Sequence, residues 1–180
     1  MPLPSTVIIP NDKPYYEWAH GELHQKMSPS REHARLQVKI GALLLQWGED
    51  VGIVASEWDM DVTPQPGDTR RYLPDVGFTS FIALEKAGQT GVAIPEISPD
   101  LAIEILSAHD DKPFLADKIA AYLAAGSSAV LIVDPVQRSI DVHRVESVER
   151  LGAGAAFADP AFPHLRLEVS AIFGILDRGA

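Results

Sequence analysis

The spacing of apolar residues changes along the chain, and each change marks an element. Between Ser30 and Gly48, Leu36, Ile40, Leu43, Leu44 and Trp47 recur at i, i+4, i+7, i+8 and i+11. That spacing lines one face of a helix, with Ser30 as its N-cap and Gly48 near its end. From Trp58 to Val62 the period drops to two, since Trp58, Met60 and Val62 alternate with Asp59 and Asp61. A strand is predicted there and another at Ile53 to Ser56, with the turn TPQPGD following. Upstream, Tyr15 to Trp18 reads as a short helix, and His20-Gly21-Glu22 as a turn into a strand at about Leu23 to Met27.

The middle of the chain reads differently. Pro99 to Ser107 is a short apolar run, the mark of a strand covered on both faces, and Leu73 to Phe81 is a strand introduced by Pro74. Asp111 and Pro113 start a helix that stops at Gly126, with Leu115, Ile119, Tyr122 and Leu123 as its buried stripe. Ser128 to Val133 is again a strand. A strand, a helix and a strand make a βαβ unit with parallel strands and a right-handed crossover. Ser139 to Val145 adds a strand, and the tail adds a strand from about Leu165 and a short helix at Ala171 to Leu176. The class that follows is α/β, a mixed central sheet flanked by helices.

Composition narrows this picture. With 180 residues, 46% hydrophobic and 22% charged, the chain is expected to form one domain around one core. The absence of cysteine excludes disulfides, thiolate catalysis and Cys-based zinc sites, so any metal binds through oxygen or imidazole. The start, MPLPSTVIIPNDKP, lacks a signal-peptide pattern, and no apolar run approaches the roughly 20 residues that span a bilayer. A soluble, cytoplasmic protein without membrane contact is expected. A net charge of −10 opposes partners held by phosphate neutralisation. The positive charges are clustered, however, with Arg31, Arg35 and Lys39 in one segment and Arg70 and Arg71 just before Pro74-Asp75. No GxxxxGK or GxSxG occurs, which leaves nucleoside triphosphate hydrolysis and serine esterase chemistry without support.

The sharpest chemical signal is Glu104, set among Leu101, Ala102, Ile103, Ile105 and Leu106. A carboxylate in such a strand is buried, which costs several kcal/mol unless a cation or hydrogen bonds compensate. Lys118 lies about 90° from the centre of its helix's apolar stripe and can lay its stem on the sheet to reach Glu104. Asp75 opens a second apolar strand. Two carboxylates and a lysine at a sheet edge suit a hard divalent ion, Mg²⁺ or Mn²⁺, with the lysine orienting or deprotonating the attacking water in phosphodiester hydrolysis. The same residues also fit a structural Glu104–Lys118 ion pair, with Asp75 merely beginning a strand. His33 reads either as a contact to a phosphate or the site, or as a solvated or packing residue. Tyr122 reads as core with its hydroxyl toward Lys118 or Glu104, His109-Asp110-Asp111 as a turn and helix cap, and Asp134 as a turn residue.

Taken in order, Gly21-Glu22-Leu23 before Met27-Ser28-Pro29, then Leu73-Pro74-Asp75-Val76, then Pro99 to Ser107 (PDLAIEILS), then Asp117-Lys118 with Tyr122 to Gly126, then Leu131 to Pro135 (LIVDP) carry a resemblance. They resemble the Uma-two family of putative restriction endonucleases, over about Tyr15 to Arg144, with Leu165 to Phe173 also similar. The resemblance places the chain in the PD-(D/E)xK nuclease superfamily. It implies a single restriction-endonuclease-like domain over 1–180, with a core at about 15–144 and a C-terminal strand and helix at 165–176. It also implies a metal-dependent endonuclease that cleaves DNA by metal-activated water. Asp75 and Glu104 would hold Mg²⁺ or Mn²⁺ with the Ile105 main-chain carbonyl, Lys118 would be the catalytic lysine, and Glu22 a further acid. The superfamily's usual lysine position, two after the glutamate, is Leu106 here, and Ala108 stands where the family often has proline. A homodimer would supply two sites for two strands. The alternative is a non-catalytic module of nuclease fold that binds protein partners through its acidic surface.

Overall fold

The computed structural model describes residues 13–108 and 110–177. Its first strands, β1 (Tyr16–Ala19) and β2 (Glu22–Gln25), form a hairpin. The segment expected to be a short helix is therefore a strand. His20 (φ 53°) and Gly21 (φ 85°) both take the left-handed conformation, the two-residue turn whose twist matches paired strands. A one-turn helix, which bears the full cost of nucleation, does not compete with that pairing. The long helix α1 (Arg31–Gly48) is capped by Ser30, whose hydroxyl accepts from the His33 N–H at 3.2 Å.

After β3 (Gly52–Ala55), β4 (Met60–Gln65) and β5 (Asp68–Tyr72) form a second hairpin. The polar sequence of β5 has no strand-like pattern of its own, and pairing with β4 and β1 makes it one. The apolar run from Leu73 contributes β6 (Val76–Ser80), which ends one residue before the expected Phe81 because Ser80 caps α2 (Phe81–Lys86). Then come β7 (Leu101–Ile105), α3 (Lys112–Ala124), β8 (Ala129–Asp134), β9 (Ser139–Arg144), β10 (Ser147–Leu151), β11 (Ala156–Phe157), β12 (Leu167–Glu168) and α4 (Val169–Phe173). The reading of His109 falls outside the described residues.

The central sheet has six strands in the order β10-β9-β8-β7-β6-β3, and a four-stranded sheet runs β2-β1-β5-β4. Only the β7–β8 pair of the central sheet is parallel, joined through α3. The sheet is mixed and flanked by helices, as the sequence predicts. Alternate residues of β7 and β8 serve opposite faces. Leu101, Ile103, Ile105, Leu131 and Val133 join Leu36, Ile40 and Leu44 of α1. Ala102, Val130 and Ile132 join Ala121 and Tyr122 of α3 and Met60, Val62 and Tyr72 of the second sheet.

Candidate active site

Strand register brings the two acids together. β6 pairs with β7 as Val76↔Ile103 and Gly77↔Ala102; one step further, Asp75 stands opposite Glu104, and the next step sets Pro74 opposite Ile105. Proline has no N–H, so the ladder opens there. The Ile105 N–H turns to Asp75 Oδ2 at 2.8 Å, and the Ile105 carbonyl meets no donor from Pro74. Gln37 of α1 donates to the Asp75 carbonyl at 2.9 Å, tying the opened end to the helix.

Helix α3 supplies the cation. Asp111 caps it, accepting from the Phe114 N–H, and its inner face brings Lys118 Nζ to 2.8 Å from Glu104 Oε1 and 2.6 Å from Glu17 Oε1. Lys118 and Glu104 are only 3% and 6% exposed, so these contacts stand in for water. Tyr122, one turn along, donates to Glu104 Oε1 at 3.3 Å. Asp75 has its own partners: Lys26 Nζ lies 2.8 Å from Oδ1, and His33 Nε2 lies 3.0 Å from Oδ2.

A cavity of about 410 Å³ opens over this cluster, lined by Asp75, Glu104, Ile105, Lys118, His33 and Lys26 among others. Its rim includes His24 and Phe114, whose rings stack 4.0 Å apart. The sequence-predicted Asp75, Glu104, Ile105, Lys118 and His33 are thus gathered, with Tyr122 beneath Glu104. Glu22 is not: it is exposed on β2 and does not line the cavity. The acid from this hairpin that does is Glu17 of β1, which also accepts from the Leu73 N–H at 2.8 Å. Glu17 and Lys26 are the residues that sequence reasoning missed. Reading Tyr16–Ala19 as a strand places Glu17 beside Trp18 in a buried element and would have raised the same question as Glu104. Nothing local marks Lys26.

Residues 4–170 match the Uma2 family, described as putative restriction endonuclease. The chain belongs to this family. No curated protein matches it. Among solved structures, it is similar to that of a putative nuclease belonging to DUF820 from Anabaena variabilis ATCC 29413. Sequence identity is 21%, with 93% of this chain and 94% of that chain covered at a TM-score of 0.81. At that identity the likeness shows the fold. In this Uma2 chain, Leu106 is partly buried against the α3-side core, and the ammonium at Glu104 comes from α3. Among the described residues no helix is long and apolar enough to cross a membrane.

Electrostatically the two acids differ. Burial acts to raise Asp75, but Lys26, the His33 hydrogen bond and Lys118 outweigh it and hold the carboxyl well below its ordinary value. For Glu104, burial outweighs Lys118, with Asp75 and Glu17 acting in the same direction as burial, and the carboxyl is pushed up to about 7. Burial acts to lower Lys118, yet Glu104 and Glu17 more than compensate and hold it above its ordinary value, firmly protonated. The divalent ion implied by the family resemblance can be tested against these donors. Two carboxylates on paired strands and a carbonyl set opposite a proline, which offers it no N–H, are hard oxygen ligands of the kind Mg²⁺ and Mn²⁺ take. Among the described residues no three His, Asp or Glu side chains are grouped to hold a metal by themselves. An ion here therefore needs the Ile105 carbonyl and water. The donor set fits in kind.

Proposed function

We propose that this Uma2 chain is a metal-dependent endonuclease that hydrolyses phosphodiester bonds in DNA. The observation that carries the reading is the pairing of Asp75 with Glu104 across β6 and β7, with Lys118 on Glu104, at the floor of an open cavity. Asp75, Glu104 and the Ile105 carbonyl would hold Mg²⁺ or Mn²⁺. Such an ion polarises a phosphoryl oxygen and lowers the pKa of bound water. Lys118, kept charged by Glu17 and Glu104, orients Glu104 and offsets phosphate charge; its raised pKa supports this role over proton abstraction. Tyr122 fixes the remaining geometry of Glu104 through its hydroxyl. His33, with Nε2 on Asp75 and a buried Nδ1 that has no partner among the described residues, orients the Asp75 carboxylate.

The proposal extends to one nuclease domain over the whole chain, to a homodimer with one site per strand, and to a reducing, cytoplasmic setting consistent with a cysteine-free sequence. A second reading, a non-catalytic module that binds proteins through its acidic surface, is supported by the net charge of −10. It is supported also by the protein partners already present on both Asp75 oxygens. The two separate on supercoiled plasmid with Mg²⁺ or Mn²⁺. The enzyme reading expects nicked or linear product, reduced about 100-fold or more in Asp75→Asn, Glu104→Gln and Lys118→Ala made identically. Equal behaviour of all four proteins sinks it and favours the module.

A further inference from the structure

Lys26 lies just past β2, where its N–H donates to the Tyr15 carbonyl at 2.9 Å and prolongs the β1–β2 hairpin. Its ammonium donates to Asp75 Oδ1 at 2.8 Å and to the Leu73 carbonyl at 2.7 Å. Asp75 Oδ2 already meets two groups, the Ile105 N–H and His33 Nε2. Oδ1 is therefore the oxygen with room for another ligand, and Lys26 sits on it. An ammonium and a divalent ion bound side by side at one carboxylate repel strongly where water is sparse.

Charge balance points the same way. Within the buried ion cluster, Glu17, Asp75 and Glu104 face Lys26 and Lys118, which leaves one negative charge in excess when all are ionised, and Glu57, Asp110 and Asp111 add negative charge elsewhere along the cavity wall. A divalent ion added with Lys26 in place would reverse that excess, whereas the ion added with Lys26 gone would leave the cluster neutral. The Lys26 side chain is 14% exposed beside an open cavity, and its four-carbon stem is flexible enough to turn outward. On the reading that Asp75 and Glu104 are metal ligands, we propose that Lys26 is a built-in counter-ion that competes with the divalent ion for Asp75 and leaves the carboxylate when the ion binds. Its release places a positive charge in the cavity that a substrate phosphate would enter.

Calorimetric titration with MnCl₂ tests this without any measure of cleavage. Lys26→Met is expected to bind Mn²⁺ at least tenfold more tightly than the unaltered protein. Lys26→Arg, which keeps the charge, should bind no more tightly, and Asp75→Asn should lose binding. Asp75 keeps the Ile105 and His33 contacts in these Lys26 variants, and circular dichroism verifies the fold; Lys26→Gln gives the same direction should Lys26→Met fold poorly. If removing the Lys26 charge leaves Mn²⁺ affinity unchanged or weaker while Asp75→Asn still abolishes it, the competition is refuted and the metal site stands. Absence of Mn²⁺ binding in every variant overturns both.

Discussion

The two faces of the central sheet are built from the same strands and held by different forces. On the α1 face, Leu101, Ile103 and Ile105 of β7 belong to the large apolar core, and their contribution there depends on area removed from water and on fit. On the α3 face, Ala102 shares β7 with Glu104, over which Lys118, Glu17 and Tyr122 close. A buried ion network of this kind adds little net stability, because desolvation offsets most of the attraction; losing one member is what costs. One face secures the fold, and the other holds a charge arrangement that the fold can support.

The largest expected effect comes from breaking the charged face. Lys118→Met leaves Glu17 and Glu104 facing each other without their cation, which should cost about 3–5 kcal/mol, less at pH 5, where Glu104 is protonated, than at pH 8. Denaturant titration at both pH values checks this; a loss that does not vary with pH would assign Lys118 to packing. Ile103→Ala on the opposite face should cost about 2–4 kcal/mol by the same titration, with no difference between pH 5 and 8 and with unchanged Mn²⁺ affinity of the folded fraction.

A smaller effect is the pH slope of the unaltered protein. Folded Glu104 holds its proton up to about 7, against the ordinary 4.5 of an exposed glutamate, so between those values the folded state binds more protons than the unfolded one and stability declines as pH rises. Glu104→Gln should flatten that slope in thermal unfolding between pH 5 and 7. Asp75 acts in the opposite sense: its lowered pKa contributes stability above the unfolded value of 3.8, lost as pH falls below it. Asp75→Asn should therefore soften acid denaturation. The least change is expected at the hairpin. Glu17→Gln keeps an acceptor for the Leu73 N–H but removes one charge from Lys118, and should lower plasmid cleavage several-fold. Glu22→Ala, exposed and clear of the cavity, should leave cleavage unchanged. An equal loss in both would show that the hairpin acts through its fold and not through Glu17.

Much of the fold was legible because it is periodic or strongly apolar. The α1 stripe, the β7–α3–β8 unit and the mixed sheet all follow from residue spacing, since amphipathic helices and buried strands must carry such patterns to exclude water. Asp75, Glu104 and Lys118 stood out for a related reason, as charges set in or beside apolar elements. Polar β5 and the hairpin strand β1 were not legible, because their strand character comes from partners distant in sequence. Tertiary structure alone decided the rest of the site. Register set Asp75 against Glu104 and placed Pro74 where it offers the Ile105 carbonyl no N–H, and the β1–β2 hairpin carried Glu17 to Lys118 and Lys26 to Asp75. A sequence states which residues cannot remain unpaired in a dry interior, whereas the partner each one finds is a distance, and only the folded chain sets distances.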